Sequence, residues 1–299
     1  MSALEIDRTD AAIVRELQAD GRLPFETLAG RVGLSRAAAR LRVRRLLDNK
    51  AIRVVGVLHP AVRGIGALAH LSIGVRRDAG PVAAAVADLP EAALVHLTAG
   101  RFPLTAQIRG SDLPRLTAVV DRVRELPGVA EVDTAVYTRV VKDPYLASSA
   151  PPDISPDDID LRLLRLLEAD GRLSFADLAG RVGLSAGAVR SRVMRLMRGR
   201  AVHVTALLDP GAVGLDRHGG FAIRLAEGGD AAAKEIASWD STQFLTGCLG
   251  RADLMGTLAA TSISALHAAY ERLRVLPGVT VTETWIHLAQ VKERYDLPT

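Results

Sequence analysis

One repeat governs what this chain can fold into. Ala19-Asp20-Gly21-Arg22-Leu23 recurs as Ala169-Asp170-Gly171-Arg172-Leu173, and Leu28 to Ser35 recurs unchanged as Leu178 to Ser185. Over residues 19–46, 20 of 28 positions match at an offset of 150, and over 7–64, 29 of 58 do. The offset persists at Gly100-Arg101 and Gly250-Arg251, at Leu126 to Val129 and Leu276 to Val279, and at Tyr145 and Tyr295. A period of 150 is too long for a solenoid. The 299 residues are therefore two complete modules in tandem. Residues 147–156, Ala-Ser-Ser-Ala-Pro-Pro-Asp-Ile-Ser-Pro, have the composition of a linker between them.

Each module opens with a three-helix pattern. Asp7 to Ala19 carries Ile13, Val14 and Leu17 on one face and stops at Asp20-Gly21. Glu26 to Val32 is a short helix, Gly33 permits a tight turn, and Ser35 is a good N-cap for a third helix reaching about Asn49. In that helix Ala39, Val43, Leu46 and Leu47 form a single buried stripe. A strand from Arg53 to Leu58 stops at His59-Pro60. The remainder alternates: strand Leu68–Val75, helix Pro81–Asp88, strands Ala92–Thr98 and Leu104–Arg109, helix Leu113–Glu125 capped near Ser111, strand Val129–Tyr137. That β-α-β-β-α-β order predicts a ferredoxin-like sandwich, repeated over residues 219–290.

Charge is unevenly placed. The chain carries +4 overall, but residues 1–60 carry +4 and residues 154–205 carry +3, leaving the rest at −3. A polyanion is the partner such asymmetry implies. A short helix, a glycine turn and a basic helix make a helix-turn-helix, whose second helix can enter a major groove of double-stranded DNA. Opposite the buried stripe lie Arg36, Ala37, Arg40, Leu41 and Arg44. Arginine suits that face because its planar fork grips guanine O6 and N7 together, or phosphate. Ser35 at the helix start joins this expected DNA-binding set, Arg42 and Arg45 flank it as expected phosphate contacts, and Ser185, Arg190, Arg192 and Arg195 are the second-copy counterparts. Only Arg190 of the second copy keeps a fork where Arg36, Arg40 and Arg44 stand in the first, since Ala186 and Met194 occupy the other two places.

Gly33-Leu34-Ser35, Arg42-Val43-Arg44-Arg45-Leu46, Ile52 and Val57-Leu58-His59-Pro60, with Asp7, Asp10 and Asp20-Gly21-Arg22, resemble the Lrp/AsnC family of bacterial and archaeal transcription regulators. The resemblance covers both halves, as two members fused. It implies an α+β fold: a tandem duplication of a winged helix-turn-helix domain followed by a ferredoxin-like effector domain. The expected domains are 1–60, 61–146, 157–210 and 211–299. It also implies a small-molecule effector, such as an amino acid, and a homo-oligomer built from pseudo-dimers in which the two effector domains of one chain pack together. In the family a Gly-x-x-Asp loop of the effector domain lies near the metabolite. Gly250-Arg251-Ala252-Asp253 fits it, so Thr246, Gly250, Arg251 and Asp253 are the expected effector residues. Gly100 and Arg101 are their first-copy counterparts, although Pro103 replaces the acid there. A turn glycine with a surface Arg251–Asp253 pair would explain the same residues without a ligand.

Other signals are weak. Gly64-x-Gly66-x-x-Ala69 precedes a predicted strand, not a helix, so no helix terminus awaits a pyrophosphate. The histidines show no i, i+4 pair, and His203 reads as a surface residue. A single cysteine, Cys248, rules out a disulfide within the chain and a cysteine metal cluster. It reads as a buried thiol, and Trp239 and Trp285 as core. No catalytic residue, metal or cofactor is expected. The N-terminus lacks a secretory pattern and no apolar run spans a membrane, so a cytoplasmic protein is the expectation. Two other functions stay open. One is an enzyme resembling the sirohaem decarboxylases, which share this fold and would use His70 or His96. The other is a metabolite sensor acting through protein partners alone.

Overall fold

The computed structural model describes residues 6–143, 152–209, 215–226 and 229–293. Tyr145, Tyr295 and residues 147–151 of the expected linker lie outside the described residues. The first copy runs α1 (Arg8–Ala19), α2 (Phe25–Val32), α3 (Arg36–Asp48), β1 (Ile52–Leu58), β2 (Ala67–Val75), α4 (Ala79–Ala87), β3 (Ala92–Ala99), β4 (Leu104–Gly110), α5 (Leu113–Glu125) and β5 (Val129–Lys142). The second runs α6 (Asp158–Ala169), α7 (Phe175–Val182), α8 (Ala186–Arg198), β6 (Val202–Leu208), β7 (Arg217–Leu225), α9 (Asp230–Ser238), β8 (Thr242–Leu249), β9 (Leu254–Ala260), α10 (Ile263–Arg274) and β10 (Val279–Glu293). No helix among the described residues is long and apolar enough to cross a membrane.

Packing does not follow the repeat. One compact unit combines described residues from Met1–Val62 and Pro144–Asp216, the other those from Arg63–Asp143 and Arg217–Thr299. Each unit thus contains the same part of both copies.

In the helical unit the wing is a two-stranded antiparallel ribbon with one strand from each copy, Val55 facing Thr205. The strands exchange sides, so that α1 packs on β6 and α6 on β1. Val204 and Ala206 of the second copy complete the core of Ile13, Leu17, Leu28, Val43 and Leu46 in the first. The repeated Asp-Gly-Arg motif builds this crossing. Gly21 N donates to Val204 O at 2.7 Å, and Gly171 N to Val54 O at 2.9 Å. A Cβ on Gly21 would stand 2.9 Å from Thr205 N and Val204 O, so only glycine admits the ribbon. Arg22 then reaches over, donating to Gly171 O at 2.6 Å and Leu173 O at 2.9 Å, with its guanidinium above the Phe175 ring. Arg172 lies likewise over Phe25. His203, expected on the surface, is half-buried in this ribbon with Nε2 2.8 Å from Gln18 O of the other copy.

In the other unit each copy forms its ferredoxin-like sheet, β3-β4-β2-β5 and β8-β9-β7-β10. Antiparallel pairing of β5 with β8 and of β10 with β3 joins them into a closed eight-stranded barrel. The two effector domains therefore pack as an intramolecular pseudo-dimer, as expected. This seam also explains why β5 outruns its predicted end at Tyr137: Tyr137 pairs with Cys248, Val140 with Thr246 and Lys142 with Leu245. The helix over 113–125 is capped by Asp112, whose Oδ1 accepts from Arg115 N at 2.7 Å, and not by Ser111. Trp239 and Trp285 are buried, the latter at the seam with Ala135, Cys248 and Met255.

Candidate nucleic-acid interface and effector region

The helix-turn-helix geometry follows from two small residues. Gly33 and Gly183 end α2 and α7 in the left-handed conformation, at φ 68° and 75°. Ser35 and Ser185 then cap α3 and α8, each Oγ accepting at 3.2 Å from the N–H three residues on, Ala38 and Ala188. Their placement is that of N-caps. Ala39, Val43 and Leu46 bury one side of α3, and Val189, Val193 and Leu196 the same side of α8.

The arginines divide into two groups. Arg36, Arg40 and Arg44 project into solvent, Arg36 and Arg44 touching only exposed acids, Glu26 at 3.8 Å and Asp48 at 3.5 Å. Such contacts contribute little. Arg40 and Arg190 are exposed and have no ion pair among the described residues. These four remain available to a ligand.

Arg42, Arg45, Arg192 and Arg195, expected as phosphate contacts, also hold acids of the fold, while Arg45 and Arg195 stay exposed. Arg42 Nη1 donates to Asp7 Oδ2 at 2.6 Å and Asp10 Oδ1 at 2.9 Å, and Arg45 Nη2 donates to Asp10 Oδ2. Arg192 and Arg195 do the same with Asp157 and Asp160. Asp10 and Asp160 have no exposed surface. A buried carboxylate needs paired charge, and these arginines supply it. Each acid pair also forms the capping box that starts α1 or α6. The Asp10 and Asp160 backbone N–H groups, helped by Arg42 and Arg192, hold the Asp7 and Asp157 carboxyls below the usual carboxylate range. The Asp-x-x-Asp spacing and the arginines were legible in sequence; their contact, 35 residues apart, was not.

The effector residues also separate. Thr246 is fully buried, its Oγ1 within 2.8 Å of Arg139 O. Gly250 sits at φ +139°, and a Cβ there would stand 3.0 Å from Thr134 O across the seam. Gly100 is as tight, since its Cβ would stand 2.8 Å from the Trp285 Cβ. Arg251 does not pair with Asp253. It turns to the seam, with Nε 3.0 Å from Asp133 Oδ1, Nη2 donating to Ser72 Oγ at 2.8 Å, and an ion pair to Glu283. Asp253 instead accepts from Leu225 N at 2.8 Å and Arg224 Nη1 at 2.9 Å, which lower its carboxyl below the ordinary range. Asp253 lines an open cleft of about 430 Å³ with Leu225, Gly229 and Asp230. Arg101 is exposed, its guanidinium 5.0 Å from the Phe102 ring centroid. Burial lifts the Cys248 thiol to about 11, an unreactive thiol at neutral pH.

A cluster absent from the sequence reading lies along the seam. His96 stacks on His287 at 4.4 Å, Trp285 Nε1 donates to His287 Nε2 at 3.2 Å, and the Trp285 ring lies 5.4 Å from His70. Burial pushes His70 to about 3 and His287 to about 2, so both stay neutral above those values. No group of three metal-ligating side chains converges among the described residues. Pairing of β3 with β10 creates the stack, and no local spacing reveals it.

Residues 6–47 and 157–197 match the AsnC-type helix-turn-helix domain, and residues 68–146 and 222–297 match the Lrp/AsnC ligand binding domain. The chain belongs to the Lrp/AsnC family. An HTH-type transcriptional regulator of Pyrococcus abyssi is 28% identical over 149 residues, which are 48% of this chain and 92% of the relative. The proline dehydrogenase transcriptional activator of Rhizobium radiobacter is 30% identical over 145 residues, 46% of this chain and 93% of that one. Each relative thus matches one half of this Lrp/AsnC chain. The solved structure of the siroheme decarboxylase NirDL superposes with a TM-score of 0.68 at 14% identity, covering 96% of this chain and 93% of that one. At that identity the likeness is one of fold.

Proposed function

We propose that this Lrp/AsnC chain is a transcriptional regulator that binds double-stranded DNA through α3 and α8 and responds to a small molecule, such as an amino acid, at the effector unit. The observation that carries the reading is the division of arginines. After Asp10 and Asp160 have engaged their partners, α3 still presents Arg36, Arg40 and Arg44, and α8 presents Arg190. A fold that needed these groups only for its own stability would have engaged them too. Retention of duplex DNA that weakens linearly in log–log form with salt supports the proposal. Loss of retention at low salt would contradict it.

The cleft beside Asp253 is the proposed effector region, where two acid–arginine pairs, Asp253–Arg224 and Asp230–Arg139, are placed to meet the ammonium and carboxylate of an amino acid. Arg251, Thr246 and Gly250 act as supports of the seam in this proposal, and not as ligand contacts. A homo-oligomer of several chains is part of this proposal, and since the described effector strands close into a barrel, its contacts use faces and not strand edges. Sedimentation tests this. A second reading, tetrapyrrole chemistry, draws on the fold likeness and on His70, His96 and His287. We expect no change in visible absorption when sirohaem is added. A saturable shift would favour the enzyme.

A further inference from the structure

Leu41 is 70% exposed in the middle of α3. It lies almost diametrically opposite the buried stripe Ala39, Val43 and Leu46, on the same outward line as Ala37 and Arg44. The core makes no use of it, and a leucine left in water forgoes the stabilisation of burial. Its neighbours are cationic: Arg40 precedes it and Arg44 follows one turn on, both exposed. An apolar side chain flanked by cations, with small Ala37 one turn before it, fits a polyanion that carries apolar groups on its readable surface. The major groove offers one such group, the C5 methyl of thymine. The second copy keeps Arg190 but lacks the apolar side chain. Ser191 and Gly187 occupy the corresponding positions of α8.

We propose that Leu41 is a specificity-determining residue that packs against thymine methyl groups in the half-site entered by α3, beside bases or phosphates held by Arg40 and Arg44. The inference rests on the DNA-binding reading and adds to it the base that the apolar position selects. It makes thymine a requirement of one half-site only.

The test uses duplexes selected from a randomised library by the full chain. Each thymine in a selected duplex is replaced singly by 2′-deoxyuridine, which removes the methyl and nothing else. The expected result is a loss of about fourfold in affinity per critical methyl, the worth of burying one carbon group, confined to one half-site. Leu41→Ala is expected to bind the unsubstituted duplex about tenfold more weakly and to be indifferent to deoxyuridine. Since Leu41 is exposed, this variant keeps the native fold, which thermal unfolding checks. Wild-type chain that binds selected duplexes equally with and without every thymine methyl overturns the inference while leaving DNA binding intact. So does a Leu41→Ala chain that keeps the wild-type sensitivity, or one whose only change is loss of self-association. Failure to enrich any duplex overturns the DNA-binding reading as well.

Discussion

Asp10 has no exposed surface, yet it accepts from Arg42 and Arg45 and closes a capping box with Asp7. Asp10→Ala strands two guanidinium groups that are partly exposed and can turn to water. The cost is therefore about 2–3 kcal/mol, below that of a fully buried pair, and denaturant unfolding measures it. Arg192→Ala and Arg195→Ala are expected to act in the same way through Asp160, lowering stability more than they alter the salt dependence of DNA binding. The acids also set a pH response. Asp7 and Asp157 titrate below their unfolded value, so their stabilisation is complete above about pH 4 and fades as pH falls through the folded value. Melting temperature is expected to drop on acidification below about pH 4, and less steeply in Asp7→Asn with Asp157→Asn. A profile unchanged by those substitutions would assign the acid sensitivity elsewhere.

At the scale of elements, the ribbon of β1 and β6 makes one body of two helix-turn-helix copies, and Gly21 and Gly171 let it close. Gly21→Ala puts a methyl 2.9 Å from ribbon backbone, with a cost of about 1–3 kcal/mol in unfolding experiments. Periodicity made α1, α2, α3 and the β-α-β-β-α-β order legible, because those signals lie within a few residues of each other. It could not show the ribbon, the length of β5 or the His96–His287 stack, since each depends on a strand pairing between copies. The same limit hid the partners of the effector loop. Arg251 and Asp253, two residues apart in the loop, point to different partners because Arg251 meets Asp133 and Glu283 at the seam. Arg251→Met is expected to weaken the barrel by about 2–4 kcal/mol, as two half-buried acids lose their shared cation. Unfolding of the variant followed by tryptophan fluorescence reads this at Trp285, which lies in the same seam.

For the whole molecule, duplication turns symmetry into an option. Two separate identical subunits must present identical recognition helices, whereas fused copies are free to diverge. This chain keeps the supporting acids, arginines, glycines and N-cap serines in both copies, while the outward faces differ: Arg36, Arg40, Leu41 and Arg44 against Ala186, Arg190, Ser191 and Met194. Phosphate contacts hold a protein on DNA, and base-edge contacts choose the sequence. The first copy is therefore expected to carry more of the specificity, and the second, with fewer outward forks, to add affinity with little choice of sequence. Binding-site selection with the full chain, repeated with Arg40→Ala and with Arg190→Ala, tests this most directly. We predict two unequal half-sites at fixed spacing, with Arg40→Ala costing about 1–3 kcal/mol at particular base pairs and Arg190→Ala weakening all sequences more evenly. A perfect palindrome, equally sensitive to the two substitutions, would contradict the account.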